Sequence, residues 1–494
     1  MVFVEPAVGL FQSLLSAAAG TALILADANG HPAVPGWITA VFALLLVAMI
    51  AALALEEKIH AKKSIIVGAF AGVCLILATV LDATVLNGMV LKLLPFGPVE
   101  LPDHTSKELP IYIPSIDWGV ITIILGASLF VEVTSRSGIF TWMAILLTRR
   151  SGGDPWKLLI FYGLLTVLFS AVLNNVTAMI IIGSLTTVSL RKLNRSELLL
   201  GFLITEGLLT NVGGLLTLIS SVPNIIVGKA AAISFGRFFV VAAPYVVVAT
   251  GVTLIMSRKI FDIRGIRTDE EKAEARRMVN SFDATESVPS NSFFWFSVVA
   301  LVLFIGALAG QAALPWGLAQ LEMGFVALFF AGVVLLAYRS EVDKFYSAID
   351  WDLLAFFAAL FVVIHVMEHA EVLGLIGDGI SGLLSLPSPA DSVVLLISSA
   401  VASSVTDNIP LAAMLAQILN NLGTDPASPY WWCVIFGANL GGNITPIGSA
   451  STVVAMTIIH RQQLKLTFVG FVRTALPFAI VQIVLAAIYV LLIF

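Results

Sequence analysis

Four polar breaks interrupt otherwise apolar stretches of the sequence, and they come in two pairs. The first pair divides the long apolar runs 158–190 and 383–420, and the second lies in the segments 211–224 and 439–452, which are rich in Gly, Asn and Ser. Inside a bilayer, a helix is broken only where its freed backbone lines a cavity. Unwound carbonyls with amides and hydroxyls suit a cation such as sodium, whereas helix N-termini suit an oxyanion. The breaks therefore predict a binding site, and their residue types leave the charge of its occupant open.

The residues at these breaks are types that cap helices or bind ligands. Asn174 or Asn175 can cap a helix that starts near Thr177, and Asp407 or Asn408 can cap one in the second run. The residues predicted to line the substrate or ion site are Asn174, Asn175, Thr177, Glu206, Asn211, Ser220, Ser221, Asn224, Thr406, Asp407, Asn408, Asn439, Asn443, Thr445, Ser449 and Ser451. The alternative interpretation is that Asn, Ser and Gly only allow close helix packing.

Two acidic residues of this set lie inside apolar runs. An ionisable side chain within a membrane span marks a functional site by default. We therefore predict that Asp407 binds a cation or carries a proton. Glu206 lies five residues before Asn211, and it either joins this site or is paired within the helix bundle.

A separate motif could bind a metal. His365, Glu368 and His369 fit the H-x-x-E-H pattern of zinc peptidases, and the two histidines share a helix face. The motif falls at the end of an apolar span, where polar residues normally collect. We interpret it as interfacial and predict neither a metal site nor catalytic residues, with a membrane zinc hydrolase as the alternative from another class. The sequence has no G-x-S-x-G motif and no P-loop, which disfavours an ATP-driven pump.

The composition requires a lipid environment. Of 494 residues, 59% are hydrophobic and 12% charged, with a mean hydropathy of +1.01, whereas a soluble domain carries about 25% charged residues. Cys74 and Cys433 lie in apolar runs and form neither a disulfide framework nor a metal motif. No basic strip indicates nucleic acid. The chain is predicted to be an all-α polytopic membrane protein in a lipid bilayer, without a cofactor.

Apolar runs of spanning length recur along the chain. They lie near 9–26, 37–55, 65–81, 118–135, 198–231, 236–257, 293–313, 321–338, 351–368, 430–457 and 467–494. The runs 158–190 and 383–420 are instead predicted to be re-entrant helical hairpins. Because Lys and Arg crowd alternate loops, the first hairpin should enter from the cytoplasm and the second from outside. Residues 1–28 are expected to hold a membrane helix, with a cleaved signal or an interfacial segment as the alternative.

The breaks recur at a nearly constant spacing. The repeated motifs are Ile116-Asp117-Trp118 with Ile349-Asp350-Trp351, Asn174-Asn175-Val176 with Asp407-Asn408-Ile409, and Asn211-Val212-Gly213-Gly214 with Asn439-Leu440-Gly441-Gly442. The offsets are 350 − 117 = 233, 407 − 174 = 233 and 439 − 211 = 228. With opposite orientations from the charge rule, this predicts two inverted-topology repeats, each with a re-entrant hairpin and a discontinuous transmembrane helix.

The same reasoning divides the chain into segments. The predicted divisions are N-terminal scaffold helices 1–115, a first transport repeat 116–257, a cytoplasmic linker 258–292, scaffold helices 293–348 and a second transport repeat 349–494. The site is expected near the bilayer midplane, where the two repeats meet.

At these motifs the sequence resembles the ion transporter superfamily, and within it the group of arsenite permeases, NhaD-type sodium–proton antiporters and the P protein. The run 174–177 resembles the group's D-N-V-T hairpin tip, and 407–410 resembles its D-N-I-P or S-N-I-P tip. Segment 211–224 resembles N-I-G-G…G-D-P-P-N, and 441–451 resembles G-G-N-G-T-x-I-G. The likeness covers roughly residues 56–494.

The resemblance implies a homodimer in which a transport domain moves against a scaffold as an elevator. It also implies that substrate is held between the hairpin tips and the broken helices. Two carboxylates of the group are missing from the first half-site, because Asn174 replaces Asp and the segment 220–224 replaces G-D-P-P-N. Asp407, with Glu206, would therefore have to exchange the proton.

These observations together predict a secondary active transporter of a small ion, most simply a cation–proton antiporter coupled to sodium or protons. The alternative in the same fold is a transporter of arsenite, an oxyanion or another anion. The absence of an obvious targeting segment favours a bacterial inner membrane.

Overall fold

The computed structural model describes residues 34–84, 96–100, 106–110, 113–281, 287–313, 318–347 and 349–494. The predicted first span, 9–26, lies outside these residues. The helices are α1 Gly36–Ala54, α2 Glu56–Ile59, α3 Lys63–Thr84, α4 Trp118–Ser135, α5 Ile139–Ser151, α6 Pro155–Val172, α7 Asn175–Lys192, α8 Leu199–Gly213, α9 Val222–Ala230, α10 Phe235–Ile260, α11 Asp269–Asn280, α12 Asn291–Gly310, α13 Glu322–Ala337, α14 Val342–Ser347, α15 Trp351–His369, α16 Val372–Leu384, α17 Ala390–Val405, α18 Asn408–Asn421, α19 Pro429–Gly441, α20 Ala450–Arg461 and α21 Phe468–Ile493.

Within the described residues, nine helices are long and apolar enough to cross a membrane. They are 36–53, 63–81, 118–135, 155–172, 235–260, 291–310, 318–337, 351–369 and 468–493. Eight of them match predicted spans, and the ninth is the first arm of the first hairpin. The predicted spans 198–231 and 430–457 are each divided into two shorter helices.

A short antiparallel pair of strands lies between α3 and α4 in the chain. Strand β1, Phe96–Glu100, pairs with β2, Ser106–Pro110, in a register that places Phe96 opposite Pro110. The sequence did not predict this hairpin, because its segment lacks the alternation of apolar and polar residues typical of a strand. The predicted all-α class describes the membrane-spanning part of the chain. The pair of strands β1 and β2 is an additional element.

The chain forms two compact units. One comprises the described parts of Met1–Trp118 and Trp351–Ser381, in which α15 packs against α3 and α1. The other comprises Gly119–Asp350 and Gly382–Phe494, and it contains both hairpins and both divided spans. In the second unit, α8 and α19 are buried on almost every face. A helix that is apolar all round lies in a core, so these two helices form the centre of that unit.

The two halves of the chain carry the same elements in the same order. Helices α4 to α7 recur as α15 to α18, for example with starts at 139 and 372 and at 175 and 408, offsets of 233. Helices α8 to α10 recur as α19 to α21, with α9 and α20 starting at 222 and 450, an offset of 228. Several of these elements therefore repeat at the offsets found in the motifs. The opposite membrane orientation of the halves stays a prediction.

Candidate functional site

Each hairpin turns at a capped helix start. Asn174 caps α7 and accepts a hydrogen bond from the Thr177 backbone N–H at 2.8 Å, with its side chain exposed. Asp407 caps α18 and accepts from the Ile409 N–H at 3.0 Å, and its side chain is half-buried. Because both caps bind the first N–H groups of the following helix, they fix the position at which the hairpin reverses.

The remaining residues of the second tip lie beside Asp407. The Thr406 hydroxyl donates to the Ala402 carbonyl at 2.7 Å and so closes the end of α17. Asn408 is the first residue of α18 and is buried. The polar side chains predicted for this tip are therefore gathered within three successive residues.

Both divided spans unwind over a few residues before a new helix begins. In the first, α8 ends at Gly213, a 3₁₀ turn covers Leu218–Ser220, and α9 follows Ser221. In the second, α19 ends at Gly441 and α20 follows Ser449, which forms a capping box with Thr452. Ser221 and Ser449 occupy equivalent positions, since 449 − 221 = 228.

Asn211 lies at the centre of a hydrogen-bond network that joins the two halves. Its amide donates to Asn443 Oδ1 at 2.8 Å and to Ser449 Oγ at 2.9 Å. Its carbonyl oxygen accepts from Ser451 Oγ at 3.0 Å and, more weakly, from Asn175 Nδ2 at 3.4 Å. An Asn side chain offers two donors and two acceptor positions, so the capacity of Asn211 is fully used.

Asn439, the counterpart of Asn211, makes the reciprocal connection. Its Oδ1 accepts from Ser221 Oγ at 2.7 Å, and its amide donates to Asn224 Oδ1 at 2.9 Å and to the Ile435 carbonyl at 2.8 Å. Asn224 in turn donates to the Gly214 carbonyl at 2.7 Å. The amide in each half therefore bonds the serine that precedes the new helix in the other half.

Hydroxyl groups hold each divided span against its hairpin in equivalent ways. Thr217 Oγ1 donates to the Ala171 carbonyl, and Thr445 Oγ1 donates to the Ser404 carbonyl, both at 2.5 Å. Ser220 Oγ lies 2.5 Å from the Gly214 carbonyl oxygen, as part of the same unwound segment.

Two further serines, which the sequence analysis missed, strengthen this contact. Ser170 Oγ lies 2.6 Å from the Thr210 carbonyl oxygen, and Ser403 Oγ donates to the Ala438 carbonyl at 2.6 Å. Their offset of 403 − 170 = 233 was present in the sequence. Applying the repeat to every polar residue would have identified both.

Gln482 is another missed residue, and it ties the network to the two long helices. It accepts from Asn443 Nδ2 at 2.8 Å and donates to Thr253 Oγ1 of α10 at 2.9 Å. Its polarity inside the last apolar span was the available signal, because polar groups within a membrane segment find partners in the bundle.

Glu206 is placed differently from the amide network. It is fully buried in α8 and accepts from Thr186 Oγ1 of α7 at 2.5 Å. Its Oε2 has no hydrogen-bond partner among the described residues. Glu206 is therefore a buried acid of α8 whose hydrogen-bond partner lies on α7 and not in the amide network.

The amides that hold the breaks differ in burial from the polar residues at the hairpin tips. Asn211, Asn439 and Asn443 bond to other amides, hydroxyls and backbone carbonyls. The more accessible polar groups lie at the tips, at Asn174 and Asp407. Helix starts also present N–H groups that favour negative charge. An ion site between the capped tips and the unwound backbone stays a prediction.

Gly441 permits close approach of α19 to α17. A Cβ at this position would overlap the Ala400 carbonyl oxygen and lie 2.7 Å from Ser403 Cβ. We expect Gly441→Ala to destabilise the protein by about 1–3 kcal/mol, the usual cost of overpacking. Gly306→Ala is the matched control, because nothing lies within 4 Å of a Cβ there. Thermal denaturation of the detergent-purified variants measures the difference, and equal melting temperatures would contradict the close contact.

Hairpins with capped tips, divided spans and an intramembrane amide network define a polytopic membrane transporter. A model of the citrate transporter family matches residues 73–437, about three quarters of the chain. The chain belongs to this citrate transporter family. The family consists of transporters, so the prediction of a transporter rather than an enzyme is confirmed.

Several relatives agree with this assignment. An uncharacterized transporter of Mycobacterium tuberculosis is 29% identical over 397 residues, which cover 79% of this chain and 90% of the relative. A second is 30% identical over 379 residues, which cover 76% and 86%. The human P protein is 25% identical over 453 residues, which cover 76% of this chain and 53% of that protein. The predicted relationship to the ion transporter superfamily is confirmed, and the chain is an integral protein of the bacterial inner membrane.

Solved transporter structures share the fold. The YdaH transporter of Alcanivorax borkumensis, described as having an unusual topology, aligns with a TM-score of 0.55 and 16% identity over 87% of this chain and 98% of its own. MtrF of Neisseria gonorrhoeae, described within a class of antimetabolite efflux pumps, aligns with a TM-score of 0.55 and 13% identity over 87% and 94%. At these identities the likeness concerns the fold alone.

Proposed function

We propose that this chain is a secondary active transporter that exchanges a small cation for protons, with Asp407 as the coupling acid. The observation that carries the proposal is the inequality of the two half-sites. The residues at the four helix starts are Asn174, Ser221, Asp407 and Ser449. Asp407 is the acid among them, so the negative charge of the site is concentrated in the second half.

The chemistry of exchange follows from this charge. A carboxylate at a hairpin tip can hold a proton or a cation, and the two occupants compete for the same oxygens. The surrounding amides, hydroxyls and unwound carbonyls add neutral oxygen ligands of the kind that a cation needs. Glu206 is the second acid of the proposal, and it is buried beside Thr186.

A second candidate is transport of citrate or another oxyanion. The family description favours it, and so do the N-termini of α7, α9, α18 and α20, whose free N–H groups attract negative charge. An ionised Asp407 opposes such a substrate, because it places a like charge at the tip. Anion transport would therefore require a protonated Asp407 or a cation bound beside it.

The transport mechanism and the assembly belong to the same proposal. The resemblance supports a homodimer whose transport repeats, 116–257 and 349–494, move as an elevator against scaffold helices from 1–115 and 293–348, with 258–292 as the cytoplasmic linker. Light scattering of the detergent-purified protein measures the assembly, and a monomeric mass would contradict the homodimer.

Reconstituted vesicles distinguish the two substrate classes. With a pH-sensitive dye inside, an inward sodium gradient should drive protons out of vesicles that contain the protein, and should do so without citrate. Protein-free vesicles and vesicles in choline salts are the controls. Uptake of labelled citrate without sodium-driven proton movement would replace the cation–proton proposal by the anion alternative. A screen of other monovalent cations in the same assay identifies the preferred ion.

A further inference from the structure

Three side chains that the transport site does not use lie together at the C-terminal end of α15. His365, Glu368 and His369 occupy positions i, i+3 and i+4 of the helix, which place them on one face. One potential ligand atom of each lies within 4.8 Å of the others, and the two imidazole centroids are 4.3 Å apart. The side chains are half-buried. Sequence spacing and three-dimensional proximity therefore agree on a compact ligand set.

The hydrogen bonding of the histidines prepares them for a metal. His369 Nδ1 lies 2.9 Å from the His365 backbone carbonyl oxygen, which can only accept, so Nδ1 carries the proton. The Nε2 atom of His369 then has a free lone pair, and the carbonyl orients the ring as an outer partner of a metal ligand does. His365 Nε2 is buried without a hydrogen-bond partner among the described residues. A bound cation near this cluster would give that nitrogen a partner.

We propose that His365, Glu368 and His369 bind a divalent transition-metal ion, with Zn²⁺ as the best fit. Two imidazole nitrogens and one carboxylate oxygen form a common three-residue zinc set, which leaves a fourth position for water. Imidazole ligands favour Zn²⁺, Co²⁺, Ni²⁺ and Cu²⁺ over Ca²⁺ and Mg²⁺, which prefer oxygen ligands. The ion holds the last turn of α15 together by joining residues on successive turns.

The position of the cluster assigns it a stabilising role rather than hydrolysis. After His369, the buried Ala370 and then Glu371, with φ of 59°, lead directly into α16. A metal ion bound at the end of α15 therefore stabilises the connection between α15 and α16. The cluster lies in the unit that contains Trp351–Ser381, whereas the ion-site residues lie in the other unit. Metal binding can accordingly be tested independently of ion transport.

The first experiment titrates the purified full-length protein with Co²⁺ and Zn²⁺ after removal of metals by a chelator. The affinity tag must contain no histidines. We expect one saturable site per chain, visible Co²⁺ absorption bands that Zn²⁺ abolishes, and a higher melting temperature with Zn²⁺. His365→Ala and His369→Ala should each weaken Zn²⁺ binding at least about tenfold.

Matched variants distinguish Zn²⁺ binding at this cluster from nonspecific Zn²⁺ binding to other histidines. His460→Ala is the control, because that histidine lies at the end of α20 and contacts the Leu466 carbonyl oxygen at 2.9 Å. It should leave Zn²⁺ affinity unchanged. Glu368→Gln keeps the size of the side chain, removes its charge and should also weaken binding, so it decides the matter if the alanine variants do not fold. Zn²⁺ affinity equal in wild type, His369→Ala and Glu368→Gln would overturn the proposal, as would the absence of saturable binding at micromolar Zn²⁺.

Discussion

Asp407→Asn is expected to abolish sodium-driven proton movement while leaving the protein folded. Asparagine keeps the acceptor that caps α18 through the Ile409 N–H, but it can neither release a proton nor offer a charge to a cation. Removing a charge that binds an ion directly costs about 2 kcal/mol or more, which is roughly 30-fold in affinity. Proton flux in vesicles, compared at equal protein content, measures the loss.

Two other variants give this experiment its specificity. Asn174→Asp places an acid at the equivalent tip of the first hairpin and should retain coupled transport, because Asp also caps a helix. Glu206→Gln keeps the shape of the side chain next to Thr186 and should retain part of the activity if Asp407 carries the main coupling. Wild-type proton flux in Asp407→Asn would contradict the assignment of Asp407.

Asn439→Ala is expected to give the largest loss of stability at the site. The side chain is fully buried and bonds Ser221, Asn224 and the Ile435 carbonyl. Its removal leaves the Ser221 hydroxyl and the Asn224 carbonyl without this partner, at about 1–3 kcal/mol for each unsatisfied group. The melting temperature should fall, and transport should be lost because the two halves are no longer joined there.

Asn420→Ala is the matched control for this change. Asn420 is an exposed residue near the end of α18, and its truncation should leave both the melting temperature and the transport rate near their wild-type values. If Asn439→Ala and Asn420→Ala had the same small effect, the amide network would not hold the two breaks.

The sequence predicted the local features of the fold well, because these features have local causes. Apolar runs of spanning length form the long helices. The polar interruptions lie at the hairpin tips, where Asn174 and Asp407 cap the helices that follow. Glycines at 213 and 441 mark the last residues of α8 and α19. The repeat was readable because the two halves keep these residue types at matching offsets.

The pairing of residues across the two halves could not be predicted in the same way. Asn211 and Asn443 are 232 positions apart, and their contact depends on the packing of divided helices from both halves. The sequence predicts that both line an ion site, which stays a prediction, and in the structure their side chains are hydrogen-bonded to each other. It also placed Glu206 with that set, although Glu206 bonds Thr186 on a neighbouring helix. A helix that is buried on all sides has no periodic pattern of apolar and polar residues. Its sequence therefore does not show which neighbouring helix each side chain faces.

The histidine motif gives a third comparison between sequence and structure. Its spacing placed His365 and His369 on one face, yet its position at a span end favoured an interfacial interpretation. The orientation of His369 toward a backbone carbonyl is visible only in the three-dimensional structure. The same holds for the nitrogen of His365, which has no partner among the described residues. These two details support the proposed metal site, whereas the sequence alone favours an interfacial cluster.

Direct visualisation of the transported ion tests the central claim most directly. Experimental density maps of the protein in lipid nanodiscs should be compared between saturating sodium and choline. We predict sodium-dependent density between the hairpin tips and the unwound segments, within coordination distance of Asp407, and its loss in Asp407→Asn. Hairpin tips and breaks packed without a cavity, or sodium-dependent density elsewhere with none at Asp407, would contradict the account.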